Sequence, residues 1–197
     1  AEAAAEAARC LDCSVRCDVC VAVCPDRANV AYPTTPRRWA LQRIVPAIAG
    51  HALEPDGEFV LAQDRQTCNL ADLCNECGNC ATFCPTAGAP YRDKPRLALA
   101  RATYAAEDGL HLLTRTGDAV TIAHRSGGHE ERLTRAGDAF VYETPAVRVT
   151  LDAATFAVTA VDLRTSPAGP VSLRPAAALA VLLDGLADHP CVLEEAP

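Results

Sequence analysis

The stretch Leu73–Pro85, LCNECGNCATFCP, decides how this chain is read. It places Cys74, Cys77 and Cys80 with two residues between neighbours, then Cys84 after three more, followed at once by Pro85. Thiolates are soft, anionic ligands, and three of them gathered in one short stretch suit an iron–sulfur cluster. In a Cys-x2-Cys-x2-Cys-x3-Cys-Pro run the fourth thiolate reaches a second cluster. A cysteine aimed elsewhere requires a second motif to receive it.

That motif lies at RCLDCSVRCDVCVAVCPDRANV, with Cys10, Cys13, Cys17, Cys20 and Cys24. Cys17, Cys20, Cys24 and Pro25 repeat the spacing of Cys77, Cys80, Cys84 and Pro85, with Cys13 set against Cys74 at the cost of one extra residue. The outlying Cys10 has a counterpart in Cys68. An internal repeat of this kind is accounted for by a two-fold, two-cluster ferredoxin arrangement. Crossing the fourth ligands assigns Cys13, Cys17, Cys20 and Cys84 to one [4Fe-4S] cluster, and Cys74, Cys77, Cys80 and Cys24 to the other. Cys10 is the alternative to Cys13, because the first group departs from the usual run by one residue. Cys10 and Cys68 are otherwise spare thiols, and buried thiols behave as small hydrophobes. Zinc is the rival metal, but structural zinc uses two separated Cys-x2-Cys pairs rather than a trio followed by Cys-Pro. A structural zinc-binding protein-interaction module is therefore the alternative function.

The chain has 197 residues, eleven cysteines and a formal net charge of −7. Ten cysteines fall in two compact groups, whereas disulfide scaffolds spread theirs to staple distant loops. The negative charge argues against binding nucleic acid through a general basic field. There is no methionine at all, and the opening AEAAAEAARC reads as a helix cut from something longer, so a fragment of a larger polypeptide is expected. No apolar run reaches membrane-spanning length and no secretory pattern precedes the motif, which gives a cytoplasmic expectation with no membrane and no nucleic acid as partner.

Residues 1 to 9 read as a helix. Between the motifs, Ala28 to Tyr32, Trp39 to Val45 and Phe59 to Ala62 have strand-like content, punctuated by Pro33, Pro36, Pro46 and a Glu54-Pro55-Asp56-Gly57 turn. TPRRWALQRIV also fits a helix start at Thr35, but a β-hairpin with an enlarged loop is preferred, with Trp39 as core packing. Beyond about residue 102, strands are expected at Leu110 to Thr114, Val120 to His124, Phe140 to Tyr142, Val147 to Leu151 and Phe156 to Leu163. Turns fall at Gly117, Gly127-Gly128, Gly137 and Asp152-Ala153. Arg125 to Arg132 reads as a loop around its glycines. Pro175 opens an apolar helix that ends before His189-Pro190. Cys191 stands alone, and the five histidines show no ligand spacing. The expected fold is α+β: a two-cluster bacterial-type ferredoxin-like domain over 1–101, then a small antiparallel β unit with a C-terminal helix over 102–197. No general acid, base or nucleophile stands out, and no Gly-x-Gly-x-x-Gly fingerprint occurs. The segment is read as a portion of an oxidoreductase without a self-contained active site.

The words ARCLDC, CPDRANV, LCNECGNC, FCP and GAPYRDKPRL together resemble the C-terminal ferredoxin-type region of proteins described as selenate reductase iron-sulfur/flavin subunits, which are related to the glutamate synthase small subunit. They span residues 7 to 99. The resemblance implies an electron-transfer module working with a flavin-containing oxidoreductase domain or subunit and a redox partner protein. FAD and NAD(P)H would then be bound elsewhere in the parent protein. Selenate serves there as a family label, not as an assigned substrate.

Overall fold

The computed structural model describes residues 17–48, 50–165 and 167–194. The helix expected over residues 1 to 9, and Cys10 and Cys13, lie outside the described residues. After a single-turn helix α1 (Val19–Ala22), strand β1 (Asn29–Pro33) leads into a long hairpin of β2 (Arg37–Ala47) and β3 (Gly50–Leu61), and β4 (Arg65–Leu70) returns antiparallel to β1. The Glu54-Pro55-Asp56-Gly57 segment is not the hairpin turn. It lies inside β3, where Ala40 pairs with Glu58 and Gln42 with Pro55, so that Leu41 faces Asp56 and Gly57 together. Gly57 takes φ 75°, the left-handed residue of a β-bulge, and a proline and a glycine are tolerated in a strand at such a bulge.

A 3-10 turn (Ala71–Leu73) opens the second cysteine motif, which carries α2 (Asn79–Thr82) and α3 (Pro90–Asp93). Then come β5 (Arg96–Leu97) and α4 (Arg101–Ala106). The remaining strands are β6 (Leu110–Thr116), β7 (Ala119–Ser126), β8 (His129–Ala136), β9 (Ala139–Glu143), β10 (Val147–Asp152) and β11 (Val158–Leu163). Two-residue loops with glycine at positive φ connect β6 to β9, the geometry that suits the right-handed twist of paired strands. Strand β8, HEERLTRA, occupies much of what the sequence suggests is a loop. Its charged residues are half-buried or exposed, and only Leu133 is buried.

The expected ferredoxin-like α+β fold is not what forms. The chain is mostly β: β1-β4-β5-β6-β7-β8-β9-β10-β11 follow one another in a ten-stranded mixed sheet, completed by β13 (Leu193–Glu194) alongside β6. The short β12 (Val171–Ser172) adds to the β2–β3 hairpin in a separate three-stranded sheet. The physical reason is β5, which pairs in parallel with both β4 and β6 and so carries one sheet from the first cysteine region into the later strands. No solved structure matches the chain.

The last helix, α5 (Arg174–Leu186), has Pro175 in its first turn, where a missing N–H costs nothing. It buries Ala176, Ala177, Leu179, Ala180, Leu182, Leu183 and Leu186 against β1, β7 and β8. One hydrophobic cluster takes Tyr32, Trp39, Leu70 and Leu97 from one side of position 101 and Leu113, Ile122, Phe140 and Leu183 from the other. Trp39 stacks on Phe156 with ring centroids 4.5 Å apart and donates its indole N–H to the Ala154 carbonyl at 3.2 Å, so it is core, as its composition suggested. Gly185 lets α5 approach β1 closely, and Asp184 pairs with Arg37 at 2.6 Å and Arg135 at 2.5 Å. Among the described residues, no helix is long and apolar enough to cross a membrane.

Candidate metal centre

The described part of the first cysteine motif repeats the backbone bonds of the second. Val21 and Ala22 donate to the Asp18 carbonyl as Ala81 and Thr82 donate to that of Gly78. Val23 donates to Val19 as Phe83 does to Asn79, and Cys24 to Val21 as Cys84 does to Ala81. Each chain then turns through a residue at positive φ, Arg27 at 54° and Ala87 at 55°. The result returns a backbone N–H to the sulfur four residues back. Ala28 N–H lies 3.2 Å from Cys24 Sγ, and Gly88 N–H bonds Cys84. Backbone donors aimed at a cysteine sulfur stabilise it as a thiolate and tune any cluster it holds. Gly88 stands where a Cβ would come within 3.5 Å of Cys84 Sγ.

Helices α1 and α2 pack against each other, which brings the motifs together. Cys24, from the first motif, lines one cleft with Cys74, Cys77 and Cys80 of the second, along with Asn29, Glu76 and Tyr91. The space free of protein atoms among these residues, open solvent included, is about 270 Å³. Cys17 acts on Cys20, and Lys94, the sole lysine of the chain, acts on both Cys20 and Cys84. Cys20 of the first motif and Cys84 of the second thus share one cationic neighbour. Cys13, the remaining member expected there, lies outside the described residues.

Burial pushes the Cys20 thiol up, against the opposing pull of Lys94. Burial also acts to raise Cys84, but the Thr86 hydroxyl at 3.2 Å, the N–H groups of Thr86 and Gly88, and Lys94 outweigh it and hold the thiol below its ordinary value. Cys68 and Cys191 differ from all of these. Cys68 is fully buried in β4, and desolvation together with the nearby Cys191 pushes its thiol up to about 12. Burial raises Cys191 to about 11. Both sit in the main core.

Sequence reasoning missed the residues that hold the motifs in place. Asn69 donates to the Asn29 side chain at 3.0 Å, and Asn29 donates to the Cys20 carbonyl at 3.0 Å, a buried chain of amides from β4 through β1 to α1. Asp72, just before Cys74, accepts from Leu99 N–H at 2.6 Å and from the Thr103 hydroxyl at 2.5 Å, tying the second motif to α4. The available signal was polar: asparagines inside strands otherwise filled by apolar residues mark groups with specific partners.

Among the described residues, no three His, Cys, Asp or Glu side chains converge on a point suited to a single ion. The four thiolates around a cubane each hold a different iron, so they need a cleft between them rather than one common point. Four cysteines brought together on one lining, and a backbone N–H aimed at Cys24 Sγ, fit such a group.

No family model matches the chain. Over 92 residues, 46% of the chain, it is 45% identical to a protein of Escherichia coli (strain K12) described as "Putative oxidoreductase YgfK", and equally to the protein of that description in Escherichia coli O157:H7. The matched stretch amounts to 6% of those relatives' length. The likeness is to proteins described as oxidoreductases, and it does not reach to selenate reductases or to the glutamate synthase small subunit as a family.

Proposed function

We propose that the cysteine-rich part of this chain is an electron-transfer module that holds two [4Fe-4S] clusters. It would relay single electrons between a flavin-containing, NAD(P)H-linked domain or subunit and a redox partner, as part of a larger oxidoreductase. The observation that carries this reading is the cleft in which Cys24 meets Cys74, Cys77 and Cys80, three ligands from one motif and the fourth from its repeat. A bound [4Fe-4S] cluster supplies reversible one-electron chemistry. The protein's residues do the rest. Cys74, Cys77, Cys80 and Cys24 would hold one cluster, and Cys17, Cys20 and Cys84, with Cys13 as the sequence assigns it, the other. Ala28 and Gly88 direct N–H groups at the fourth-ligand sulfurs, which favours added negative charge on reduction. Lys94 supplies a positive charge beside Cys20 and Cys84. Asn29, Asn69 and Asp72 position the ligand-bearing turns.

Protein reconstituted anaerobically with iron and sulfide should turn brown, carry about eight irons per chain, and take up and release electrons reversibly. A chain that stays colourless and retains zinc through the same treatment would sink the reading in favour of a structural zinc module.

A further inference from the structure

The two cysteine turns repeat each other in backbone but differ at one side chain beside the sulfur. Cys24-Pro25-Asp26-Arg27-Ala28 and Cys84-Pro85-Thr86-Ala87-Gly88 run in register, each with its fourth residue at positive φ and its fifth directing an N–H to the cysteine sulfur. In the third place the second turn has Thr86, whose hydroxyl oxygen lies 3.2 Å from Cys84 Sγ, and the first has Asp26. An ionised or iron-bound sulfur can only accept, so the Thr86 hydroxyl is the donor. An ionised carboxylate has no proton to give, and Asp26 cannot make the corresponding bond to Cys24 Sγ. The second turn is also closed tightly on its sulfur: a Cβ at Gly88 would stand 3.5 Å from Cys84 Sγ, 3.6 Å from the Thr86 hydroxyl and 3.2 Å from Asp93 Oδ2, which accepts from Ala89 N–H at 2.5 Å. Lys94 comes directly after Asp93 and adds its charge on this side. The charges around the other cleft largely offset one another. Glu76 is faced by Arg92 at 3.7 Å and Arg96 at 4.0 Å, and Asp26 and Arg27 are adjacent, opposite and exposed to screening water. The short hydroxyl bond therefore outweighs net charge as the difference between the two turns.

Resting on the two-cluster reading, we propose that the Thr86 hydroxyl makes the two centres unequal, so that the cluster held by Cys17, Cys20 and Cys84 accepts an electron before the one held by Cys24, Cys74, Cys77 and Cys80. Reduction adds one negative charge, part of which falls on the ligand sulfurs. A donor already aimed at a sulfur stabilises the reduced form more than the oxidised form and raises the reduction potential. Thr86 acts through Cys84 and is a positioning residue. No bond is made or broken: one electron leaves the reductant, a flavin in the parent protein or dithionite in vitro, and enters the cluster. Within the chain the favoured transfer then runs from the Cys24 side to the Cys84 side, which gives the relay a direction.

Electron paramagnetic resonance of the full chain, reconstituted anaerobically and poised at a series of imposed potentials, tests this. The unmodified protein should reduce in two separate one-electron steps. Thr86→Val removes the hydroxyl at an exposed position. It should move the higher step to lower potential, a fall of about 2- to 10-fold in the equilibrium constant for that reduction, the size of one net hydrogen bond, and leave the other step in place. Thr86→Ser, which keeps the hydroxyl, should restore the original value. Asp26→Thr supplies the missing donor to the first turn and should raise the lower step. Iron and sulfide counted in each sample separate the two levels of the account. A chain that assembles no clusters refutes the two-cluster reading itself. About eight irons per chain with coincident steps, or with Thr86→Val moving the lower step or neither, overturns the inequality alone.

Discussion

Gly185→Ala is a sharp test of how the sheet and the last helix are held together, because two opposing effects are of known size. In an exposed helix interior, alanine in place of glycine stabilises by about 1 kcal/mol. At this position a Cβ would stand 2.5 Å from both the Pro33 carbonyl oxygen and Tyr32 Cδ2. The carbonyl belongs to the backbone of β1 and cannot swing aside as a side chain can. Tyr32, 4% exposed, is packed in the core. Either α5 retreats from β1 or the β1 backbone shifts, and overpacking of this kind costs about 1–3 kcal/mol. A contact this short on backbone takes the upper end, so the net expectation is a loss of about 2 kcal/mol after the propensity gain. Urea unfolding followed by far-UV circular dichroism reads this as a lowered midpoint with little change in slope. A midpoint that is unchanged or raised would refute the close approach of α5 to β1.

Asp184→Asn removes the carboxylate shared by Arg37 and Arg135. Because Asp184 is only 12% exposed and Arg37 19%, the loss should be about 2 kcal/mol, below the penalty for breaking a fully buried pair, and visible as a lower thermal midpoint. His111 is lowered from 6.5 to about 4 by burial, so the native state binds its proton less readily than the unfolded chain. That contribution, at most about 3 kcal/mol, is fully present above pH 6.5 and is lost as pH falls towards 4. His111→Asn should therefore flatten the dependence of urea midpoint on pH across that window, and an unchanged profile would contradict it. Cys68 and Cys191, with thiols raised by burial, should resist iodoacetamide at pH 8 in native protein and react once it is unfolded, which mass spectrometry of labelled peptides can follow.

Much of the strand pattern and the pairing of the cysteine motifs could be read from residues alone, while the architecture around them could not. Glycine-centred loops at Gly117, Gly127 and Gly137 announced the β6–β9 meander, since few other residues suit a two-residue hairpin loop. The Gly117-Asp118 turn also sets the register that places His111 opposite His124. Strand β8 was hidden because HEERLTRA buries only Leu133, so its alternation reads as a charged loop. Glu54-Pro55-Asp56-Gly57 has turn chemistry yet forms a bulge, because the partner β2 continues straight past it and tertiary pairing overrides the local preference. The ferredoxin-like expectation failed for a related reason. Motif spacing specifies a local turn and its sulfur positions, but the two-residue β5 that fuses the sheet has no periodicity to detect.

The central claim is that Cys24 and the trio Cys74, Cys77 and Cys80 serve one cluster, and iron content in a double-mutant series tests it most directly. After anaerobic reconstitution, Cys24→Ala, Cys74→Ala and the combination of both should each retain about four irons per chain, because all three damage the same [4Fe-4S] site. Cys24→Ala combined with Cys20→Ala should retain almost none. If Cys24→Ala with Cys74→Ala instead loses all its iron while Cys24→Ala with Cys20→Ala keeps about four, each motif holds its own cluster and the crossed arrangement is contradicted.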